Sequence, residues 1–334
     1  MKAKNEKSHS VLAHENDLNF DIDVDSMSDC NILLSDLQEE VYNKFQPKKI
    51  GAEILAGVYS ELDLRSRFER VNDCGSYLEF RVTSQDKKLY TANFCKDRLC
   101  PMCNWRRSLK IYSQVSQVMD VLEKEGYRFL FLTLTVKNCS ADDLQKTVQV
   151  LYDGWRYLYN KSSVFRKCVK GSFRALEVTR NKDTGEFHPH LHVILAVLPS
   201  YFGKDYLTQA VWSDLWRSAC DLDYNPIIDI RTIKKGSKGL SGAVAEVSKY
   251  AVKSADFLNG SMSQKMAYVS AFLDALSKRR LCSFTGCFAE ARKKLALDDV
   301  ENGDLVHLDN DSIRDDLAFM IVRYSWKSGV YVQL

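Results

Sequence analysis

The stretch Phe187–Leu195, reading Phe-His-Pro-His-Leu-His-Val-Ile-Leu, constrains this chain more than any other. Three of the six histidines in the sequence fall within five of its residues. A strand alternates its side chains between faces with a period of two, so His190, His192 and Ile194 share one face while Leu191, Val193 and Leu195 share the other. Neutral imidazole is the commonest protein ligand for divalent metals. A His-x-His pair on a rigid strand therefore offers two converging nitrogens with little ordering cost. His188 lies on the same face but precedes Pro189 at the start of the strand, and ranks below the other two. The alternative is a half-buried strand whose histidines only pack.

At 334 residues the chain can hold two domains, or one with appendages, around a substantial core. The longest apolar runs, near 129–136 and 191–198, fall well short of the ~18 residues that span a bilayer. No N-terminal signal pattern is present. A cytoplasmic protein without membrane association is expected, with its ten cysteines reduced. The net charge of +3 hides an asymmetry: residues 1–40 carry ten acids and three bases, leaving 34 acids and 44 bases, a net of +10, on the remainder. A basic body suits an anionic partner. Residues 1–45, rich in Asp, Ser and Asn, read as a disordered acidic tail.

Cys74, Cys95, Cys100 and Cys103 form a second cluster. Between the first two, Tyr77–Val82 and Leu89–Phe94 read as hairpin strands around 84–87, which would return Cys74 to the side of Cys95. Four thiolates within reach of one another fit a closed tetrahedral Zn²⁺ site of structural type. A lone Cys-x-x-Cys would suit redox chemistry as well; the two additional cysteines favour zinc. Cys30, Cys139, Cys168, Cys220, Cys282 and Cys287 do not cluster and read as core or surface thiols. Beyond Cys103, Trp105, Leu109, Tyr112, Val115, Met119 and Leu122 keep helical spacing up to Gly126. Arg106, Arg107 and Lys110 on that helix are either phosphate contacts or a solvated basic turn. Residues 46–126 thus read as a zinc-binding module of hairpin and helix.

From residue 127 the pattern runs strand, helix, strand, strand, helix, strand. The strands fall near 129–136, 172–180, 187–198 and 227–233; the helices carry Leu144, Val148, Leu151, Trp155 and Leu158, then Trp212, Leu215 and Trp216. This is the split βαββαβ order of α+β ferredoxin-like folds, in which an antiparallel sheet sets the third strand between the first and second. The histidines are then central. Glu177, an acid in an otherwise apolar run, is the natural third ligand, because a turn about Thr184-Gly185 places it directly opposite His192 and on the same face. A register slip of one residue would turn it away. Two imidazoles and a carboxylate with open positions suit a catalytic Mg²⁺ or Mn²⁺ gripping a phosphate oxygen. The alternative is a buried Glu177 paired to Arg174 or Arg180.

After a Lys234–Gly239 loop, Ala243–Lys253 reads as a helix with Glu246, Tyr250 and Lys253 at i, i+4 and i+7 on one face. A phenol with a pKa near ~10 needs a cation or metal beside it to act as a nucleophile, and Lys253 can supply one. Glu246 can take the phenolic proton or activate a water. Taken alone, residues of these types at such spacings make a solvated face.

Four motifs in order carry a resemblance: Cys95 with Cys100-Pro101, Cys103 and Trp105-Arg106; Phe129–Val136; His190-Leu191-His192-Val193; and Glu246–Lys253. Over most of residues 70–300 the chain resembles the plasmid rolling-circle replication initiators of the HUH endonuclease superfamily, in the Gram-positive plasmid subfamily with one catalytic tyrosine and a nearby glutamate. The resemblance implies a site-specific single-strand DNA endonuclease and strand transferase. His190 and His192 would hold the metal, Tyr250 would nick the double-strand origin in a single-stranded or extruded loop, and Glu246 would support hydrolytic termination. The nick leaves a 5′-phosphotyrosine link and a free 3′-OH primer. Implied partners are plasmid origin DNA, a host helicase and a DNA polymerase, with a homodimer left open. Residues 127–260 would be the endonuclease domain and 261–334 a mainly helical C-terminal extension. A conjugative relaxase or single-tyrosine transposase shares the chemistry, although the four-cysteine module favours the plasmid family. From another class, a zinc-dependent DNA-binding regulator without catalysis would use the histidines for a structural ion.

Overall fold

The computed structural model describes residues 33–234, 237–249, 257–308 and 319–334. A helical run from residue 33 passes through a π-helical turn at Val41–Phe45 into α1 (Gln46–Glu61). Leu37, Val41 and Phe45 recur every fourth residue and are buried, so the last part of the expected acidic tail is a docked helix. Residues 1–32, with Cys30, lie outside the described residues. Next come α2 (Arg65–Asp73) and the hairpin of β1 (Tyr77–Val82) and β2 (Lys87–Ala92). The Thr83 N–H donates to the Asp86 carbonyl at 2.8 Å, which closes the turn early and starts β2 two residues ahead of expectation. The long helix α3 (Pro101–Lys124) opens with proline in its first turn, where no N–H is needed.

Then follow β3 (Arg128–Thr135), α4 (Leu144–Asn160), α5 (Ser163–Cys168), β4 (Val169–Arg180), β5 (Phe187–Val197), α6 (Gln209–Ala219) and β6 (Ile228–Ile233). The chain continues through α7 (Ser237–Val247), α8 (Met262–Leu276), β7 (Cys282–Gly286), α9 (Cys287–Lys294), β8 (Met320–Lys327) and β9 (Val330–Gln333). These strands make two antiparallel sheets, one in the order β6-β3-β5-β4-β7 and the other β2-β1-β8-β9. The histidine strand β5 is therefore interior, between β3 and β4. Its near-continuous apolar run is what a strand covered on both faces requires. On one face, Ser172 and Arg174 of β4 meet Tyr159 and Tyr152 of α4. Glu177, odd in register, points to the other face, where α7 lies.

The C-terminal region is not the mainly helical extension expected. β7 pairs with β4 and widens the larger sheet, while β8 pairs with β1 and, with β9, completes the hairpin sheet. The alternation in β8, with Val322 and Tyr324 buried and Arg323 exposed between them, is that of a half-covered strand seeking a free edge, and β1 supplies one. Gly286, the last residue of β7 and the N-cap of α9, has φ 55 and stands so close to the Lys170 carbonyl that no Cβ fits.

Arg106, Arg107 and Lys110 are neither a solvated turn nor open to phosphate: all three are buried. Arg106 donates to the Leu305 and Val306 carbonyls at 2.8 and 2.7 Å. Arg107 donates to the Glu301 and Asp97 carbonyls at 3.0 and 2.9 Å. Lys110 pairs with Asp298 at 2.7 Å and donates to the Asp304 carbonyl at 2.7 Å. Together they clamp residues 298–306 to α3. No helix among the described residues is long and apolar enough to cross a membrane.

Candidate functional site

Glu177, His190 and His192 converge on the face of the larger sheet that α7 covers. The cross-strand partner of Glu177 is His190, and His192 faces Ala175, so the expected pairing of Glu177 with His192 is corrected by two residues. The reason is the turn. It occupies residues 181–186, closed by Asn181 N–H to the Glu186 carbonyl at 2.9 Å and by Gly185 at φ 76, instead of folding tightly about 184–185. A shift of two preserves the face, so the carboxylate still reaches both rings. Glu177 Oε2 lies 2.9 Å from His192 Nε2 and 3.2 Å from His190 Nε2, and the two Nε2 atoms are 3.1 Å apart.

Donors ~2.1 Å from one ion and at right angles to each other stand about 3 Å apart, which is the spacing found here. The donor chemistry fits as well. His190 Nδ1 donates to the His188 carbonyl at 3.0 Å, which leaves the Nε2 lone pair of the neutral ring facing the centre. His192 Nδ1 is held by the Thr133 hydroxyl at 3.3 Å from the neighbouring strand. Two ring nitrogens and a carboxylate, all buried and facing one another, call for a cation between them. Arg174 and Arg180 lie on the opposite face, over the rings of Tyr152 and Tyr268. His188 stays outside the cluster, with Nδ1 2.8 Å from Asn138 Oδ1; burial, then the neighbouring His190, hold its pKa below the ordinary value.

Buried Val244 and Val247 seat α7 on this face and bring Glu246 to the site. Glu246 Oε1 is 3.7 Å from His192 Nε2, and its Oε2 accepts from Lys249 Nζ at 2.5 Å. The helix differs from expectation at both ends: it starts at Ser237, inside the expected loop, and ends at Val247, with Ser248 and Lys249 following as turn and bend. Tyr250 and Lys253 lie outside the described residues. Lys249 went unnoticed in the sequence, although it stands three residues from Glu246. Phe131, also missed, sets its ring 5.6 Å from that of His192. A cleft of about 330 Å³ opens beside Glu246, between α7 and β6.

The second cluster gathers Cys74, Cys95, Cys100 and Cys103. Cys103 Sγ is 3.6 Å from Cys74 Sγ and 3.6 Å from Cys95 Sγ, and Cys100 Sγ is 3.6 Å from Cys74 Sγ. A tetrahedral zinc with arms of ~2.3 Å spaces its sulfurs by roughly 3.8 Å, close to these values. Backbone N–H groups support the sulfurs: Lys96 to Cys103 at 3.2 Å, Cys95 to Cys74 at 3.4 Å and Asp97 to Cys95 at 3.4 Å. Hydrogen bonds from Cys100, then Cys74 and Cys95, hold the Cys103 thiol well below its ordinary pKa, and burial pushes Cys100 up.

The profile of a family described as "Replication protein" matches residues 86–332, most of the chain. The chain belongs to this replication-protein family. It is 37% identical over 311 residues to "Protein rep" of Streptococcus pneumoniae serotype 2, covering 90% of this chain and 96% of that protein. To "Protein rep" of Bacillus amyloliquefaciens it is 38% identical over 312 residues, 85% of this chain and 91% of the relative. To a "Replication protein" of Staphylococcus aureus the figures are 34% over 228 residues, 66% and 97%. No solved structure matches the chain.

Proposed function

We propose that this replication protein initiates rolling-circle replication of a plasmid by nicking one strand of the double-strand origin, as an HUH endonuclease. The observation that carries the reading is the convergence of Glu177, His190 and His192, with Glu246 3.7 Å from His192, in a replication-protein chain. The strand order β6-β3-β5-β4 supports a ferredoxin-like split βαββαβ sheet as the scaffold.

Glu177, His190 and His192 would hold Mg²⁺ or Mn²⁺, which when bound supplies positive charge to a phosphate oxygen. Tyr250 attacks the phosphorus in a single-stranded or extruded loop of the origin. Its phenolic oxygen forms the new P–O bond, the bond to the 3′-oxygen breaks, and that oxygen takes a proton to become the 3′-OH primer. The phenolic proton passes to Glu246 or to water, with the ammonium of Lys253 favouring its loss. The phosphotyrosine keeps the energy of the phosphodiester, so rejoining needs no ATP. At termination the phenol is already esterified, and Glu246, oriented by Lys249, deprotonates a water that attacks the second phosphodiester; its bond to the 3′-oxygen breaks, and the freed 3′-OH attacks the phosphotyrosine, rejoining the strand and releasing the Tyr250 phenol, which regains a proton.

In this reading the four cysteines hold a structural Zn²⁺ in a module over residues 46–126, beside an endonuclease domain over 127–260. The partners are origin DNA, a host helicase and a DNA polymerase in the cytoplasm, with dimer formation open. Incubation with supercoiled plasmid carrying the cognate origin and Mn²⁺ tests it. The expected product is an open circle whose 3′ end a polymerase extends; binding without cleavage would make the protein a zinc-dependent regulator instead.

A further inference from the structure

The cleft beside Glu246 leads away from the candidate metal centre toward the sheet edge at β6, and its wall has a built order. The Arg231 guanidinium lies 5.3 Å from the centre of the Phe131 ring, and that ring is 5.6 Å from the His192 ring. Register explains the row: Arg231 pairs across with Phe131, Asp229 pairs with Thr133, and Thr133 pairs with His192, so all of them share the histidine face. Asp229 holds the guanidinium through Nε at 2.7 Å, while the Arg231 side chain remains 67% exposed above a Phe131 that is 5% exposed. The guanidinium thus lies 5.3 Å from an aromatic ring centre, paired to Asp229 and open to solvent. Lys234 lines the same cleft. The opposite wall, on α7, includes Gly242, and a Cβ built on it would meet no atom within 4 Å.

We propose that this cleft is a nucleotide subsite: it takes one unpaired nucleotide next to the scissile phosphate, with its base on the Arg231 guanidinium plane and its backbone phosphate toward Lys234. A volume of about 330 Å³ lies within the ~300–1,000 Å³ typical of small-ligand sites, and unpaired bases are commonly gripped on arginine planes or aromatic rings beside basic groups. The inference rests on the nicking reading for the identity of its strand, and it adds a specificity element to it. The flanking nucleotide would be read by stacking and cleft shape.

The test is fluorescence anisotropy with the labelled single strand of the cognate origin, which reads binding whether or not the strand is cut. Arg231→Ala weakens binding on the order of tenfold or more, and Arg231→Lys, which keeps the charge and loses the plane, does not restore it. Replacing nucleotides one at a time with abasic sites costs the wild type a similar factor at one position beside the nick, and costs Arg231→Ala nothing further there. Gly242→Leu, which fills the cleft and raises helix propensity, reproduces both results without touching Arg231. Unchanged affinity in Arg231→Ala, full rescue by lysine, or abasic sensitivity that persists in either variant overturns the subsite. If the wild type binds the strand in this pattern but never cuts it, the subsite stands and the nicking reading fails.

Discussion

Glu177→Gln separates a metal centre from a packing arrangement. Glutamine keeps the shape of the side chain, and its amide can donate to the ring nitrogens that lie 2.9 and 3.2 Å from the carboxylate oxygen, so the fold is retained. The substitution removes the one anionic donor of the three. Partners that merely orient a ligand are worth ~10- to 100-fold in metal affinity, so losing a charged ligand itself should reach at least the upper end, ~100-fold. At a Mn²⁺ concentration of about 100 times the wild-type Kd, binding stabilises the folded wild type by about 2.7 kcal/mol. The same concentration stabilises the variant by only ~0.4 kcal/mol. At roughly 2 °C per kcal/mol for a chain of this size, Mn²⁺ should raise the wild-type Tm by ~5 °C and the variant Tm by less than ~1 °C. Differential scanning fluorimetry with a Mn²⁺ titration measures this. Equal Mn²⁺-dependent shifts in the two proteins would refute Glu177 as a ligand.

Three further outcomes are expected. Cys100→Ser should lower the zinc content of purified protein from one equivalent toward zero, read by elemental analysis, and expose residues 70–125 to limited proteolysis, since a structural zinc contributes folding free energy directly. Lys110→Met removes the donor that the Asp304 carbonyl and Asp298 share, and should lower stability by about 1–3 kcal/mol in urea titrations while leaving zinc content unchanged. Glu246→Ala should still nick origin DNA but terminate ~10²- to 10⁴-fold more slowly, accumulating products longer than one plasmid unit on gels; equal loss of both steps would make Glu246 a base for Tyr250 or a structural partner of Lys249.

What the sequence disclosed follows from the range of the interactions involved. The faces of β4 and β5 were legible because side-chain alternation is local, and they put Glu177 with the histidines even though its partner was off by two. The partner depended on the length of the 181–186 turn, which strand patterns do not report. The start of α7 was hidden by Gly239 and Gly242, poor helix formers; tertiary packing of Val244 and Val247 outweighs that propensity. Arg106, Arg107 and Lys110 read as phosphate contacts or a solvated turn because most of their partners, the Glu301, Asp304, Leu305 and Val306 carbonyls and the Asp298 carboxylate, lie far along the chain, invisible to any local window. The same distance hid the pairing of β8 with β1, while the four-cysteine convergence was accessible because a single hairpin closes it.

Joining of a tyrosine on this chain to origin DNA is the step on which the proposed nicking rests, and a covalent adduct would report it. The wild type and Tyr250→Phe are each incubated with Mn²⁺ and a single-stranded oligonucleotide spanning the nick site, then denatured, and the covalent adducts are digested and mapped by mass spectrometry. A wild-type adduct whose 5′-phosphate sits on the peptide containing Tyr250 is expected, and no adduct in Tyr250→Phe despite near-normal DNA binding. An adduct that persists in Tyr250→Phe, or that maps to another residue, would contradict it.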